Sequence, residues 1–283
     1  MIELRNISYS YTANSSENTV AVKNVNLKID KGEFIGIAGH TGSGKTTVAQ
    51  ILAGLVTPTE GSILIDGEEI SDSKAAARKL RSRVGIVFQY PEHQLFEETV
   101  YRDIAFGPKN KGMSESEIDE CVRKSAELVH LKEEYFEKSP FDLSGGQKRR
   151  VAIAGVIATK PSVLILDEPA AGLDPVGRER LLSELHRIRR EQGTTIILIS
   201  HSMEDLARNA ERIVLLNKGE KLTDAPAGEI FTDSQLLKKC GLQLPEITQV
   251  INMLNQAGMA LPENIFTVED ACRAIQKHME VEK

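Results

Sequence analysis

The chain has 283 residues, of which 41% are hydrophobic and 27% charged, a composition that allows one large globular domain with a buried core. Its formal net charge of −6 argues against a basic nucleic-acid-binding surface, and its three scattered cysteines are too few for a disulfide framework or a zinc site. We expect these cysteines to be small buried residues in a reducing compartment. No secretory signal and no apolar run of roughly 18 residues is evident, so we expect a cytosolic chain.

The N-terminal part of the chain predicts antiparallel strands. In residues 2–11 and 24–29, apolar and polar side chains alternate, which is typical of strands with one face exposed to solvent. Residues 62–70 contain the pair Asp66–Gly67 between two short runs, and this pair favours a tight hairpin turn. We therefore expect an N-terminal antiparallel β-subdomain.

Four later runs rich in isoleucine, leucine and valine do not alternate. They predict strands buried on both faces of a mostly parallel sheet, and they occupy residues 34–39, 84–89, 162–167 and 194–200. Between the second and third of these strands, residues from about 92 to 160 have a mostly helical pattern. The predicted fold class is α/β, with a mostly parallel core sheet, the antiparallel subdomain and an inserted helical subdomain.

The C-terminal part of the chain predicts a small helical tail. Residues 228–242 have the pattern of one helix with a glycine stop, and residues 246–258 place apolar side chains on one helical face that ends at Gly258. A further helix is predicted after Thr267, which with Asp270 forms an N-terminal capping pattern. We expect these apolar stripes to serve packing, on the chain's own core or on a partner subunit.

A glycine-rich loop, GHTGSGKTT, joins the first buried strand to a helix. It matches the phosphate-loop pattern G-x-x-x-x-G-K-[ST] in the required strand–loop–helix context. Gly42 and Gly44 let backbone N–H groups surround phosphates, Lys45 can reach the β- and γ-phosphates, and the Thr46 hydroxyl can bind Mg²⁺. This pattern predicts a nucleoside triphosphate site. The residues predicted to line it are Gly39, His40, Thr41, Gly42, Ser43, Gly44, Lys45, Thr46 and Thr47.

Two acidic residues follow another buried strand. In VLILDEP, Asp167 and Glu168 emerge at the carboxyl end of the strand, where ligands of α/β folds bind. Two carboxylates at such a position are costly unless a cation or a partner compensates them. We predict that Asp167 holds Mg²⁺ through water and that Glu168 orients and deprotonates the attacking water.

A second anion-binding pattern lies about a hundred residues after the phosphate loop. LSGGQ, residues 143–147, precedes a predicted helix, so the Ser144 hydroxyl and the backbone of Gly145 and Gly146 can surround a phosphate at a helix N-terminus. The order of phosphate loop, LSGGQ, Asp-Glu strand and a following histidine resembles the ATP-binding cassette ATPases. In that family, LSGGQ of one subunit contacts the γ-phosphate held by the phosphate loop of another. The resemblance therefore implies a head-to-tail dimer in which Ser144, Gly145, Gly146 and Gln147 contact ATP of the partner.

The same resemblance, which covers residues from 1 to about 225, implies further roles. Tyr11 matches the aromatic residue that stacks on adenine, although Tyr9 alternates with it along the same strand and is the alternative. Gln89 matches the glutamine that contacts Mg²⁺ and water and senses the membrane partner. Asp174, in AGLDP, matches the residue that reaches across the dimer, and His201 matches the switch histidine near the γ-phosphate.

Three segments resemble a particular branch of that family, the ATPases of energy-coupling factor transporters. They are YPEHQLFEETVYRDIAFGPKN after Gln89, RRVAIAGVIA after LSGGQ, and the helical tail. The chain is most similar to the second ATPase paralogue of these systems. The resemblance implies Mg²⁺-dependent ATP hydrolysis that powers uptake of vitamins or other micronutrients. Its implied domains are an ATP-binding cassette at residues 1–225 and a helical dimerisation region at residues 226–283.

The implied partners are a second cassette ATPase, identical or paralogous, a membrane scaffold protein and substrate-binding membrane proteins, with no nucleic acid. The implied location is peripheral, at the cytoplasmic face of the cell membrane. A soluble cassette ATPase that acts on nucleic acid or the ribosome, or as an assembly scaffold, is the alternative. The sequence contains neither a long coiled-coil insertion nor a second cassette, and Glu168 and His201 disfavour a scaffold without hydrolysis.

Overall fold

The computed structural model describes residues 1–12, 18–70 and 74–281. The predicted cassette includes residues 13–17 and 71–73, and the predicted tail includes residues 282–283, all of which lie outside the described residues. Ten strands form two sheets in the described ranges. They are β1 (Ile2–Thr12), β2 (Asn18–Ile29), β3 (Phe34–Ala38), β4 (Glu60–Ile65), β5 (Glu68–Ile70), β6 (Val84–Val87), β7 (Val163–Asp167), β8 (Thr195–Ile199), β9 (Arg212–Asn217) and β10 (Glu220–Pro226).

The smaller sheet is antiparallel, with the strand order β2-β1-β4-β5. Its alternating strands bury residues such as Leu4 and Leu27 against the rest of the molecule and expose the polar residues between them. The predicted hairpin turn is present between β4 and β5, where Asp66 and Gly67 both have positive φ, at 53° and 85°. The predicted antiparallel subdomain is confirmed.

The larger sheet has the order β10-β9-β3-β8-β7-β6 and is parallel except for the last strand of the chain, β10, which runs antiparallel to β9. All four predicted buried strands are present in it. Because helices or the other sheet cover both of its faces, successive residues of β3 enter different cores. Phe34 packs with the inserted helices, and Ile35 packs with the antiparallel sheet.

Eleven α-helices occur in the described part of the chain. They are α1 (Lys45–Leu52), α2 (Lys74–Arg83), α3 (Val100–Asn110), α4 (Glu115–Leu128), α5 (Gly145–Ala158), α6 (Pro175–Gln192), α7 (Met203–Asn209), α8 (Ala227–Thr232), α9 (Ser234–Lys239), α10 (Glu246–Gln256) and α11 (Val268–Val281). Helices α3, α4 and α5 form the predicted insertion between β6 and β7. No helix of the described ranges is both long and apolar enough to cross a bilayer.

The tail differs from its predicted form in one helix. The predicted single helix over residues 228–242 is wrong, because the chain bends at Asp233 and forms α8 and α9 instead. The Asp233 carboxylate accepts a hydrogen bond of 2.9 Å from the Leu236 N–H and so caps α9, a conformation that competes with a continuous helix. The cap of α11 is as predicted, since Thr267 Oγ1 accepts a bond of 3.2 Å from the Asp270 N–H.

The cysteine prediction is only partly correct. Cys121 and Cys240 are buried and pack in the main core, whereas Cys272 is exposed on α11. Burial raises the pKa of the Cys240 thiol. Cys272 directly follows the buried Ala271 on α11, and successive residues of a helix point in different directions, so burial of Ala271 leaves Cys272 exposed.

Helix α6 buries a carboxyl group whose environment is unusual. Glu184 is 4% exposed, and its Oε1 has no hydrogen-bond partner among the described residues. Burial raises the pKa of Glu184 to about 7, although the nearby guanidinium groups of Arg150, Arg180 and Arg187 act in the opposite direction. The folded protein therefore binds this proton more tightly than the unfolded chain does.

The stability of Glu184→Gln relative to the wild type should be higher at alkaline pH than at acidic pH. The protonated carboxyl contributes stability below its ordinary pKa of 4.5, and that contribution is lost as the pH rises through about 7. The melting temperature of Glu184→Gln minus that of the wild type should thus be higher at about pH 8 than at about pH 5. Glu179→Gln, an exposed change on the same helix, is the control. An equal difference at both pH values would contradict the assignment.

Candidate functional site

Three neighbouring strands of the parallel sheet end at one edge. Ile199, the last residue of β8, pairs with Ile37 of β3 on one side and with Asp167 of β7 on the other. The phosphate loop follows β3, Glu168 follows β7, and His201 lies just beyond β8. The sheet order therefore brings together three predicted site segments that are distant in sequence.

The phosphate loop leads into a helix with free N–H groups. Gly44 has a φ of 101°, in the left-handed region, and a Cβ there would lie 2.6 Å from the Ala21 carbonyl oxygen, so only glycine fits. Helix α1 begins at Lys45, and no side chain of the described residues caps its N-terminus. The first N–H groups of α1 are thus available to an anion.

The Lys45 side chain forms hydrogen bonds within the phosphate loop. Its Nζ donates hydrogen bonds to the carbonyl oxygens of Gly39, at 2.8 Å, and His40, at 3.0 Å. Burial lowers the pKa of Lys45, while the nearby carboxylates of Glu168 and Asp167 act in the opposite direction. A partly buried ammonium whose hydrogen bonds within the described residues go to carbonyl groups suits the approach of a phosphate.

The other loop residues surround the same space. The His40 ring lies 2.7 Å from the Thr41 carbonyl oxygen through Nδ1 and 2.9 Å from Asn217 Oδ1 through Nε2. Thr41 and Gly42 are exposed at the rim. Ser43 is fully buried, and its Oγ has no hydrogen-bond partner among the described residues. This orphaned hydroxyl and the uncapped helix fit a bound polyphosphate.

Hard oxygen donors lie beside the loop. Thr46 Oγ1 donates a hydrogen bond of 2.7 Å to Asp167 Oδ2. Burial raises the pKa of Asp167, although the bond from Thr46 and the charge of Lys45 act in the opposite direction. Gln89 is exposed just beyond β6, at the same edge of the sheet. A hydroxyl, a carboxylate and an amide oxygen are a donor set that fits Mg²⁺.

Glu168 and His201 form a pair across the ends of β7 and β8. His201 Nδ1 lies 2.8 Å from Glu168 Oε2. The Glu168 N–H donates a bond of 2.9 Å to the Ile199 carbonyl oxygen, which holds the backbone in a left-handed conformation with a φ of 51°. Such a conformation is uncommon for a non-glycine residue and clusters at functional sites. The His201 side chain is 74% exposed and so is accessible to a ligand.

The two tyrosines of β1 have different environments. Tyr11 is 42% exposed, and its hydroxyl lies 3.2 Å from Thr47 Oγ1 and 3.1 Å from Gln50 Oε1, over the first turns of α1. Tyr9 packs partly buried against the core and contacts the Tyr11 ring edge to face, with centroids 4.9 Å apart. Of the two tyrosines, Tyr11 is thus the more exposed and the one whose hydroxyl contacts the first turns of α1.

The LSGGQ segment opens α5 away from the phosphate loop. Ser144 caps the helix and exchanges hydrogen bonds with Gln147, the Ser144 N–H donating to Gln147 Oε1 at 2.9 Å. Gly145 and Gly146 are exposed, with open space where a side chain would begin. Asp174 is also exposed and caps α6 by accepting a bond of 2.6 Å from the Gly177 N–H.

These two groups of predicted residues line different clefts. Lys45, Glu168 and His201 line a cleft of about 580 Å³, to which no residue of LSGGQ contributes. Gly146 and Asp174 line another cleft, of about 300 Å³. The structure therefore does not bring the two anion-binding segments of one chain to the same cavity.

Some residues of this region were given no individual role by the sequence predictions. Residues 241–244 of the tail line the cleft that contains Lys45. Arg149, on α5, is buried and bonds to Glu92 and to the turn after Glu168. The pattern could have indicated Arg149, because it lies four residues before the buried Ile153 on the same helical face. No local signal indicates residues 241–244, whose position depends on the packing of the tail.

The ABC transporter family model matches residues 22–171 of the chain. Over 275 residues, the chain is 50% identical to the energy-coupling factor transporter ATP-binding protein EcfA2 of Clostridium perfringens. The alignment covers 97% of this chain and 96% of that protein. The chain is 46% identical over 278 residues to the protein of the same name from Caldanaerobacter subterraneus, with 98% and 97% covered.

Two solved structures are similar to the chain. The structure of cbiO1 from Clostridium perfringens, described as part of the ABC transporter complex cbiONQ, has a TM-score of 0.75 and 36% identity over 89% of this chain and 98% of that one. The dimeric ATP-binding cassette MJ0796, bound to ADP and Pi in a post-hydrolysis state, has a TM-score of 0.73 and 33% identity, with 80% and 99% covered.

An ATP-binding cassette is defined by three features that this chain has. They are a phosphate loop, an Asp-Glu pair at the end of a strand on the same sheet edge, and a separate helix that begins with LSGGQ. The predicted cassette fold is confirmed by the structural likeness. The chain belongs to the ABC transporter family, within the group of energy-coupling factor transporter ATP-binding proteins. The predicted family is therefore also confirmed.

Replacing Lys45 with Ala should weaken ATP binding by about 100-fold or more, because the phosphates lose their main charged donor in a partly buried loop. Fluorescence titration with an ATP analogue on the purified chain measures this change. Lys124→Ala, an exposed change on α4, is the control and should bind normally. Affinity of Lys45→Ala within a few-fold of the wild type would mean that the phosphates bind elsewhere.

Proposed function

We propose that this chain is the Mg²⁺-dependent, ATP-hydrolysing subunit of an energy-coupling factor transporter. It acts at the cytoplasmic face of the membrane and powers uptake of a micronutrient through membrane partners. The observation that carries the hydrolytic part is the 2.8 Å pair of Glu168 and His201, which lies in the same cleft as Lys45. The similarity to energy-coupling factor proteins over nearly the whole chain supports the transport part.

The chain's own groups bind and orient the nucleotide. The phosphates lie against the free N–H groups of α1 and the ammonium of Lys45, which exchanges its carbonyl partners for phosphate oxygens. Tyr11 stacks on adenine at the entrance. The residues with these binding roles are Tyr11, Gly39, His40, Thr41, Gly42, Ser43, Gly44, Lys45, Thr46 and Thr47.

Thr46, Asp167 and Gln89 would hold Mg²⁺, Asp167 through water. Bound there, the ion supplies charge neutralisation at the phosphate oxygens. The Thr46–Asp167 hydrogen bond of 2.7 Å supports this assignment, because it already places two oxygen donors together. Gln89 is contributed from a different strand end, which would tie the state of the nucleotide to the segment that follows it.

Glu168 accepts the proton of the attacking water, and His201 orients Glu168. The pair resembles other arrangements in which a base is held by a second polar side chain. The bond from the Glu168 N–H to the Ile199 carbonyl oxygen, at 2.9 Å, limits backbone movement of the base. His201 is the more exposed partner and can therefore also reach the γ-phosphate.

Replacing Glu168 with Gln should leave ATP affinity unchanged but lower the turnover rate by about 10²–10⁴-fold, since the amide cannot accept a proton. The variant should accumulate as an ATP-bound dimer, which size-exclusion chromatography with light scattering detects. Glu179→Gln provides a control with the same chemical change at an exposed position. Turnover within a few-fold of the wild type would assign the base to another residue.

LSGGQ acts on ATP that is bound to the opposite subunit. Ser144, Gly145, Gly146 and Gln147 contact its γ-phosphate, and Asp174 reaches across the interface. Two features support this arrangement. The LSGGQ residues line no part of the cleft that contains Lys45, and both of their glycines are open to solvent. Each active site is therefore complete only in a head-to-tail dimer with a second cassette ATPase.

Replacing Gly145 with Asp should block dimer closure without disturbing ATP binding to the same chain. Like charges about 4 Å apart repel by about 4 kcal/mol at an effective dielectric constant of about 20. The variant should bind ATP with normal affinity and fail to dimerise with a Glu168→Gln chain. Gly145→Ala adds a side chain without charge, which no atom of the described residues within 4 Å would obstruct, so it controls for bulk. Loss of ATP binding by the monomer would indicate action in cis.

The proposed domain division is a cassette at residues 1–225 and a helical dimerisation region at residues 226–283. Helices α8 and α9 pack in the main core, whereas α10 and α11 share a small core of their own. Val250 and Met253 on α10 and Met279 on α11 remain exposed. Exposed apolar side chains on both of these helices support contact with the second ATPase through this part of the tail.

The segment after Gln89 supports contact with a membrane partner. Tyr90, Phe96 and Phe106 are each more than 40% exposed, and the rings of Phe96 and Phe106 lie edge to face at 4.8 Å.

Affinity purification of the tagged chain from detergent-solubilised membranes, followed by mass spectrometry, tests the assembly. A second cassette ATPase and integral membrane proteins are expected. Recovery of ribosomal or DNA-bound proteins from the soluble fraction instead would overturn the transport proposal.

A further inference from the structure

Helix α5 buries a charged side chain that the proposed chemistry does not use. Arg149 is the fifth residue of α5 and is only 6% exposed. Burial of a guanidinium is costly unless its donors are bonded and its charge is paired. Arg149 meets both requirements with groups from two other segments of the chain.

The first of these segments is the turn that begins at Glu168. Arg149 Nη1 donates hydrogen bonds to the carbonyl oxygens of Pro169, at 3.0 Å, and Ala171, at 2.9 Å. The turn itself is closed by the Ala171 N–H, which donates a bond of 3.1 Å to the Glu168 carbonyl oxygen. Arg149 thus holds the backbone directly after the proposed base, whose own left-handed conformation needs support from its surroundings.

The second segment follows Gln89. Glu92 lies in a short 3₁₀ helix, Pro91–Gln94, and its carboxylate faces the same guanidinium, with Nε–Oε2 at 3.4 Å and Nη2–Oε1 at 3.5 Å. These distances are near the outer limit of hydrogen bonding, so the carboxylate contact is looser than the two carbonyl contacts. One arginine therefore joins the LSGGQ helix, the turn after Glu168 and the segment after Gln89.

We propose that Arg149 is a positioning residue for Glu168, and that Glu92 sets the position of Arg149. Movement of the Pro91–Gln94 segment is then passed to the base through a single side chain. The inference rests on the proposed function, in which Glu168 is the base. Arginine is required because its planar group directs donors to two carbonyl groups and a carboxylate at once, whereas a lysine ammonium is a point charge that cannot match this geometry.

The test measures steady-state ATP hydrolysis by the assembled ATPase, together with ATP affinity. Arg149→Lys should lower kcat by about tenfold or more, the rate equivalent of one charge-assisted hydrogen bond, with KM unchanged. Glu92→Gln should lower kcat by about threefold, also with KM unchanged. The double variant should be no slower than Arg149→Lys alone, because both changes break the same connection.

Arg123 and Asp119 supply matched controls, since they form an exposed ion pair of 2.8 Å on α4. Arg123→Lys and Asp119→Asn repeat the same chemical changes away from the site and should leave kcat and KM unchanged. Thermal melting of each variant identifies any loss of folded protein. If Arg149→Lys does not fold, the more exposed Glu92→Gln carries the test.

Several outcomes would overturn the inference. They are a kcat for Glu92→Gln equal to that of its control, additive losses in the double variant, or a rise in KM that accounts for the whole effect. Failure of the proposed function would give a different result from failure of this inference. Full turnover by Glu168→Gln would show that Glu168 is not the base. Normal turnover by Arg149→Lys together with an inactive Glu168→Gln would show that Glu168 is the base but that Arg149 does not position it.

Discussion

The candidate site depends on one hydrogen-bond register, in which Ile199 pairs with Ile37 on one side and Asp167 on the other. A shift of one residue in any of these strands would move its apolar side chains from one core to the other, so the packing of both cores holds the register. The lateral separation of the phosphate loop, the acidic pair and His201 is therefore set by burial of hydrocarbon. The site itself contributes little to its own placement.

Two ionisable groups at this edge, the buried Asp167 and the partly buried Lys45, have pKa values that both shift toward the neutral form. Burial lowers the pKa of Lys45 and raises that of Asp167, so each side chain favours its neutral form more than it would in water. Their mutual attraction offsets this cost only in part. Polyphosphate beside the lysine and a divalent cation beside the aspartate would each restore the charged form, which suits a site built for both.

Much of the fold was predictable because its signals are local. The phosphate loop, the Asp66–Gly67 turn and the Thr267 cap each depend on a few neighbouring residues, and all are present in the structure. The pairing of Glu168 with His201 depends on strand order, which no short pattern contains. Arg149 lies on the same helical face as the buried Ile153, but an arginine on a helix is ordinarily solvated, and the groups that bond Arg149 come from loops distant in sequence.

The two helix N-termini that the chain offers to phosphate differ in their resting state. No side chain in the described part of the chain caps α1, whereas the N-terminus of α5 is already capped by its own Ser144 and Gln147. An anion gains the full set of free donors at the first helix but must compete with an internal cap at the second. An anion at the N-terminus of α5 would therefore displace the hydrogen bonds between Ser144 and Gln147 or use the donors that these bonds leave free, whereas an anion at α1 meets no such competitor among the described residues.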